Sequence, residues 1–394
     1  MRDEAGTQSL ASLGALFLRI GCTSFGGYMS MVSVMQNAVV AQRRLLTDRD
    51  VLDGVTLASI LPGPVAINTV AYVGYRLRGA AGALVCVSAA VLPAFVLMVS
   101  LAALYVRWGR LPQVDRLFLG IMPAVAAVIL AAAVRMCRVS VRGQREALLA
   151  GAAVALLLSC SGLLVTFAVV VAAALAGRLW FRDDGLAPAP APVPAAAPAA
   201  APGKAAFLFA TPVLLLPLVG GQAALLAKLL AAFAGMSLLM FGGGYVSIPV
   251  LQHAVVDGYG WVTAREFADA MAMTQLTPGP VLIGAAFIGM KAGGLAGAVA
   301  ATVGVFAPTA ALMVGCAQWL HRWYASEAVR AAMRGVRAAG AGMVIAAAFT
   351  IGKMAAPTWA SLLLFVLALV LLLRWRIEAF WVVPLCGAIG FFLL

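Results

Sequence analysis

Of 394 residues, 64% are hydrophobic and only 10% are charged, and the mean hydropathy is +1.04. Soluble globular chains carry about a quarter charged residues, so a soluble fold is excluded. The formal charge of +13 does not point to nucleic acid, because the Arg residues lie in short loops between apolar runs, where they set helix orientation.

Uncharged runs occupy 20–42, 54–75, 79–106, 117–134, 147–177, 229–256, 292–320, 354–373 and 379–394. A helix needs roughly 20 mostly apolar residues to cross about 30 Å of hydrocarbon. The ten-residue alternation of an outer-membrane barrel is absent. The chain therefore reads as an all-α polytopic membrane protein. Six Cys (22, 86, 137, 160, 316 and 386) are scattered with no metal or redox spacing and are expected as small buried side chains. Met1–Arg2–Asp3–Glu4 precedes no cleavage site, so the first membrane helix is expected to do the targeting.

In chain order, residues 1–10 are a polar, frayed end. The first apolar segment, about 12–38, carries Arg19 and then Thr23–Ser24–Phe25–Gly26–Gly27, where adjacent glycines predict a kink or local break. Thr47 with Asp50 three residues on gives a capping-box start for a short helix over 48–60. That helix runs into Pro62–Gly63–Pro64, which no ordinary helix accommodates, because both prolines lack the N–H for i→i−4 bonding. Pro64 instead suits the first position of a new half-helix, 64–76. Arg43, Arg44 and Arg49 precede the pair and Arg76 and Arg78 follow it, so both polar ends are expected on one side. The reading is a re-entrant hairpin with its tip at membrane depth.

Full spans are predicted at about 80–106, 117–135, 146–161 and 163–179. Arg135, Arg138, Arg142 and Arg145 mark a cytoplasmic loop, while Arg107, Arg110 and Arg116 pull the other way. Residues 187–202 are almost pure Ala and Pro, an extended linker. Segment 205–227, broken by Pro212, Pro217 and Gly220–Gly221, reads as an interfacial piece. The second half then has a first helix at 229–256, hairpin halves at 264–276 and 280–291, and spans at 294–320, 328–352, 357–373 and 379–394. Most Trp residues, among them Trp108, Trp180, Trp375 and Trp381, fall where predicted spans meet loops, as an interfacial belt requires.

The second half repeats the first. Pro62–Gly63–Pro64 returns 216 positions later as Pro278–Gly279–Pro280, and at that spacing Phe25–Gly26–Gly27 meets Phe241–Gly242–Gly243 while Thr47, Asp50 and Asp53 meet Thr263, Glu266 and Asp269. Downstream the spacing becomes 215, and Gly74, Arg76, Gly79, Gly82 and Pro93 meet Gly289, Lys291, Gly294, Gly297 and Pro308. The division is an N-terminal repeat over 1–182, a linker over 183–204 and a C-terminal repeat over 205–394. Each half holds five spans and one returning hairpin. An odd unit followed by its copy inserts the copy upside down, so the fold expected is two inverted repeats, about ten spans and two broken hairpins centred on Pro-Gly-Pro. A crossing at 205–227 would make the halves parallel instead.

Paired broken hairpins are a sequence pointer to a transporter site. A half-helix starting at Pro64 or Pro280 leaves its first backbone N–H groups without intrahelical acceptors, and those donors favour an anion. The candidate substrate-binding residues are Ser24, Gly26, Gly27, Ser59, Gly63, Pro64 and Asn68 in the first half, and Gly242, Gly243, Thr274, Gln275, Thr277, Gly279 and Pro280 in the second. The glycines have a plain alternative as helix–helix contacts, and the Pro-Gly-Pro turns as structural bends. Arg19, Arg76 and Lys291 are candidates for guiding an anion, with interfacial anchoring as the alternative. Asp53 and Asp269 are candidates for proton coupling, with helix-start capping as the alternative. No Walker loop or nucleophile–base pair is present, and His253 and His321 are isolated, so no enzyme, cofactor or metal site is expected.

Phe17–Leu18–Arg19–Ile20–Gly21 with Ser24–Phe25–Gly26–Gly27, then Leu61–Pro62–Gly63–Pro64, Gly74, Gly79, Gly82 and Pro93, resembles the chromate transporter family of bacterial membrane proteins. Phe241–Gly242–Gly243–Gly244–Tyr245 and Thr274–Gln275–Leu276–Thr277–Pro278–Gly279–Pro280 resemble the same motifs. The resemblance covers the chain outside the Ala/Pro linker and is to the long, two-domain type. Tyr28 stands where members often have Pro, and Ser59 where they often have Gln.

The resemblance implies export of chromate, with sulfate as a related anion, across the bacterial cytoplasmic (inner) membrane, driven by the proton-motive force. The expected partners are a tetrahedral anion, protons, the lipid bilayer and a second copy of the chain; no nucleic acid is expected. The rival readings are a transporter or channel for another small anion, and a non-transporting membrane scaffold.

Overall fold

The computed structural model describes residues 9–25, 28–59, 61–108, 112–160, 163–181, 221–238, 240, 244–245, 247–317, 326–353 and 358–393. The frayed start, the Ala/Pro linker, most of segment 205–227 and the glycines Gly26, Gly27, Gly242 and Gly243 lie outside the described residues. Among the described residues every regular element is helical.

The first half begins with α1 (Leu10–Thr23), capped by the Ser9 side chain, which accepts from the Ser12 N–H at 3.1 Å. Its buried residues, Leu13, Leu16, Phe17, Ile20 and Gly21, recur at helical spacing and form one face. After a non-helical stretch come α2 (Tyr28–Gln36), which continues as a π-helical turn over Asn37–Gln42, and α3 (Asp48–Ala58). Then follow α4 (Val65–Trp108), α5 (Pro112–Ser140), α6 (Gln144–Ser159) and α7 (Leu163–Trp180). The second half has α8 (Gly221–Leu238), α9 (Ser247–Gln252) with a π-helical turn over His253–Gly258, and α10 (Ala264–Leu276). A 3₁₀ turn (Val281–Ile283) leads into α11 (Gly284–Cys316), followed by α12 (Glu327–Gly352), α13 (Trp359–Leu373) and α14 (Ala379–Leu393).

Neither α4 nor α11 is one straight rod. Arg78 (φ −146°, ψ 29°) and Gly79 (φ 61°, ψ −154°) turn the chain inside α4, and Gly293 (φ −144°, ψ 23°) and Gly294 (φ 64°, ψ −157°) do so inside α11. The arms fold back on each other. A Cβ at Gly74 would fall 2.6 Å from the Gly82 carbonyl oxygen, and one at Gly289 would fall 2.2 Å from that of Gly297. Residues eight apart in a straight helix are about 12 Å distant along its axis. The second arm of α4 packs against α1 and against α11, and α11 packs in turn against α8.

The remaining helices cross between halves. Helix α5 packs against α12, α13 and α14, and α12 packs against α5, α6 and α7. Small residues set the closeness: Gly120 lies against Gly390, and Gly335 against Gly177, at separations that admit no Cβ. Close backbone approach through small residues is how helices associate where lipid offers no hydrophobic drive.

Among the described residues, four helical segments are long and apolar enough to cross a membrane: Val65–Trp108, Arg116–Ser140, Val281–Cys316 and Glu327–Gly352. The outward surface is apolar too, with Leu362, Leu363, Val366 and Val370 of α13 and Leu92, Val96 and Leu104 of α4 all exposed. The protein is a multi-pass membrane protein whose solvent along these faces is lipid. Trp108, Trp180, Trp359, Trp375 and Trp381 are exposed at or near helix ends.

Three expectations need correction. The second half's first helix starts at Gly221, so residues 221–227 belong to α8 and not to a separate interfacial piece. That helix does not run to 256, since α8 ends at Leu238 and helix resumes at Ser247. Of the cysteines, Cys86 and Cys386 are buried, but Cys22 and Cys160 are exposed, facing outward where a thiol tolerates lipid as readily as a core. The predicted spans 146–161 and 163–179 correspond to the separate helices α6 and α7.

Candidate anion site at the paired helix breaks

Each Pro-Gly-Pro joins two short helices that return on themselves. Helix α3 starts with a full capping box between Thr47 and Asp50, and α10 with one between Thr263 and Glu266. Those capping acids also bind the far end of the next helix: Arg76 pairs with Asp50 at 2.8 Å, and Lys291 with Glu266 at 2.9 Å. The start of α3 thus lies beside the end of α4's first arm, which makes the pair a hairpin with its base at the ion pair and its tip at Pro62–Gly63–Pro64. At about 1.5 Å per residue, neither limb is long enough to cross a bilayer. Burial works to raise the carboxyl pKa of Asp50 and Glu266. The hydrogen bonds from Thr47 and Thr263 and the charges of Arg76 and Lys291 outweigh it and hold both below the ordinary carboxylate value.

The tips are left-handed turns. Gly63 has φ +98° and Gly279 has φ +103°, the third position of a Pro-Gly turn, which an L side chain occupies only with strain. Because Pro64 and Pro280 have no N–H to close those turns, the glycine amides serve elsewhere. The Gly63 N–H donates to the Met240 carbonyl at 2.6 Å, and the Gly279 N–H donates to the Ser24 carbonyl at 2.7 Å. Each tip therefore docks on the opposite half's broken first helix. Thr309 of α11 covers Gly63, and Ala94 of α4 lies beside Gly279.

Polar side chains surround the tips. Ser24 is buried and its hydroxyl donates to the Ile20 carbonyl at 2.6 Å. Asn68 is fully buried; its amide N–H donates to the Pro62 carbonyl at 2.9 Å, and its Oδ1 has no partner among the described residues. The Pro64 carbonyl accepts the first helical bond, from the Asn68 N–H at 3.0 Å, which leaves the amides of Val65, Ala66 and Ile67 beyond intrahelical reach. In the second half the Pro280 carbonyl accepts from Ile283 at 3.0 Å. Thr274 and Thr277 are buried and turn their hydroxyls to the Met271 and Thr274 carbonyls. Gln275 donates to Thr274 at 3.1 Å and accepts from the Tyr245 hydroxyl at 3.2 Å.

The structure thus gathers Gly63, Pro64 and Asn68 at the first tip, and Ser24 with Thr274, Gln275, Thr277, Gly279 and Pro280 at the second. Arg76 and Lys291 sit at the hairpin bases, and Arg19 is exposed on α1. Asp53 and Asp269 are buried one turn inside each base, and the Tyr105 hydroxyl donates to Asp269 at 2.5 Å. Among the described residues no group of acids, His or Cys is arranged to hold a metal ion.

Sequence reasoning missed one charged neighbour. The Arg337 guanidinium of α12 donates to the Ser59 hydroxyl at 3.1 Å, and that hydroxyl donates to the Thr56 carbonyl at 2.7 Å. Arg330, Arg334 and Arg337 all fall inside the span predicted at 328–352. Their spacing of four and three residues puts them on one helical face, a signal that was available in the sequence. Arg334 of that face pairs with buried Glu146 at 2.6 Å.

The sequence profile of the chromate transporter family matches residues 11–178 and again 227–391. The chain is 30% identical over 388 residues to a chromate transport protein of Cupriavidus metallidurans, covering 94% of this chain and 90% of that protein. It is 29% identical over 369 residues to a probable chromate transport protein of Synechococcus elongatus, covering 92% and 89%. A chromate transport protein of Pseudomonas aeruginosa is 29% identical over 396 residues, covering 93% and 88%. No solved structure matches the chain. With both halves matched by the family profile and relatives aligned from end to end, the chain belongs to the chromate transporter family.

Proposed function

We propose that the protein is a secondary transporter that moves a tetrahedral dianion, chromate with sulfate as its near-isostere, out across the bacterial inner membrane at the expense of the proton gradient. The observation that carries the reading is the crossed pair of tip hydrogen bonds, Gly63 to Met240 and Gly279 to Ser24, in a chain that belongs throughout to this family. Two interrupted helices that hold each other's broken partners make a centre around which two halves can rock.

The halves, 1–182 and 205–394, are inverted in this reading. Support comes from the length of α4's second arm. It leaves the base of the first hairpin at Ala80, passes Gly279 at Ala94, and reaches Asp269, just inside the second base, at Tyr105. Twenty-five residues of helix rise about 38 Å, more than the thickness of the hydrocarbon core. The two bases then lie at opposite faces and the tips at mid-depth, the arrangement in which either side can be opened in turn.

Uptake of radiolabelled chromate and of sulfate into inverted vesicles, with and without an imposed proton gradient, tests this. Saturable uptake of both anions that compete with each other and rise with the gradient is the expected result. Flux of small organic anions alone would replace the substrate, and no flux of any anion would leave a membrane scaffold.

A further inference from the structure

We infer that Arg337 is the fixed positive charge that meets the transported anion, and that it does so at the first tip only. The inference rests on the transport reading above. Arg337 lies ten residues into α12 and three beyond Arg334, about one helical turn further along the segment than the Arg334–Glu146 pair. It is partly buried, and its polar partner among the described residues is the neutral Ser59 hydroxyl; no described carboxylate pairs with it. The neighbouring Arg334 is neutralised by Glu146 and stacks over Phe181 at 4.2 Å. A guanidinium within a membrane segment is costly, and its cost is ordinarily offset by a partner or by a water-filled path.

The helix ends near the tips make this charge decisive. Each tip receives the start of a half-helix, which is electropositive, but also the ends of α3 and α8 or of α10 and α1, which are electronegative. Partial charges of opposite sign roughly cancel there. The Gly63 and Gly279 amides are occupied by the Met240 and Ser24 carbonyls, so the donors left at the first tip are the amides of Val65, Ala66 and Ile67, and the full charge beside them is that of Arg337. Position 122, which matches 337 at the 215-residue spacing, is Met122, buried and neutral. The second tip instead presents Gln275 and the Tyr245 hydroxyl. The carrier is therefore asymmetric: charge recognition at Ser59 and Arg337, neutral hydrogen bonding at Gln275 and Tyr245.

The test is the concentration dependence of sulfate and chromate uptake in vesicles holding equal amounts of folded protein, judged by monodispersity and melting temperature. Arg337→Gln should raise the half-saturating anion concentration at least tenfold with a smaller change in maximal rate, and Arg337→Lys should recover most of the loss. Wild-type transport with an unchanged half-saturating concentration in Arg337→Gln would overturn the assignment while leaving the transport reading intact. Loss of rate alone, equal in the Gln and Lys variants, would make Arg337 a structural strut and overturn it too. Absence of anion flux in the wild type would instead remove the transport reading itself.

Discussion

The backbone N–H of Gly279 and the carbonyl of Ser24 are 2.7 Å apart, so the tip of the second hairpin terminates the first helix of the chain. Gly63 does the same for Met240 from the other side. These bonds satisfy carbonyls that a broken helix would otherwise leave orphaned away from water, where each costs on the order of 1–3 kcal/mol. Interrupting four helices at one depth is tolerable because the interruptions satisfy one another.

The two glycines are not equally replaceable. Both hold a positive φ, for which an alanine costs about 1–2 kcal/mol. A Cβ at Gly63 would also lie 2.4 Å from Thr309 Cγ2, whereas at Gly279 it meets Ala94 Cβ at 3.3 Å. Gly63→Ala should therefore lower the melting temperature of the purified protein distinctly more than Gly279→Ala, and both should slow transport. Equal destabilisation by the two would show that Thr309 yields and that the first tip is not tightly packed.

Much of this was legible beforehand, since a Pro-Gly-Pro between apolar helices has few backbone solutions and capping boxes at Thr47 and Thr263 mark helix starts by local chemistry alone. What periodicity does not report is which half supplies a neighbour. The contacts of Gly63 with Thr309, of Ser59 with Arg337 and of Tyr105 with Asp269 all join residues more than 160 positions apart. The start of α8 was misjudged for a related reason. Gly220–Gly221 and the prolines before them look like breakers, but glycine is tolerated at a helix start, and Leu226 and Leu229 are buried in the core.

The hairpin bases predict an acid-sensitive stability. Asp50 and Glu266 titrate below their ordinary values of 3.8 and 4.5 when folded. A depressed folded-state pKa stabilises the protein above the ordinary value, and that contribution is lost as pH falls through the lowered one. Melting temperature should be insensitive to these groups near neutrality and decline below about pH 4. Asp50→Asn with Glu266→Gln should flatten that decline and cost about 1 kcal/mol per hairpin at neutral pH. An undiminished acid limb in the double variant would assign the effect to other carboxylates.

Asp269 and Asp53 differ in their surroundings although their positions match. Asp269 is 1% exposed and receives the Tyr105 hydroxyl at 2.5 Å. If protons couple through this carboxyl, Asp269→Asn should abolish accumulation driven by an imposed proton gradient while leaving anion exchange at equilibrium measurable. Tyr105→Phe should fall between that variant and the wild type. Full gradient-driven accumulation in Asp269→Asn would place coupling elsewhere, with Asp53→Asn the next variant to examine.

Opposite insertion of the two halves has a direct readout at Arg49 and Arg265, matched exposed positions at the starts of α3 and α10. The second arm of α4 rises about 38 Å between Ala80 and Tyr105, and Tyr105 ends on Asp269, one turn from Arg265. One arginine should therefore face the cytoplasm and the other the outer side. In a chain freed of its six native cysteines, Arg49→Cys and Arg265→Cys should each react with a membrane-impermeant maleimide in one vesicle orientation, and in opposite ones. Labelling of both from the same side would make the halves parallel. The tips could then no longer be reached alternately from the two faces by a rocking of one half against the other.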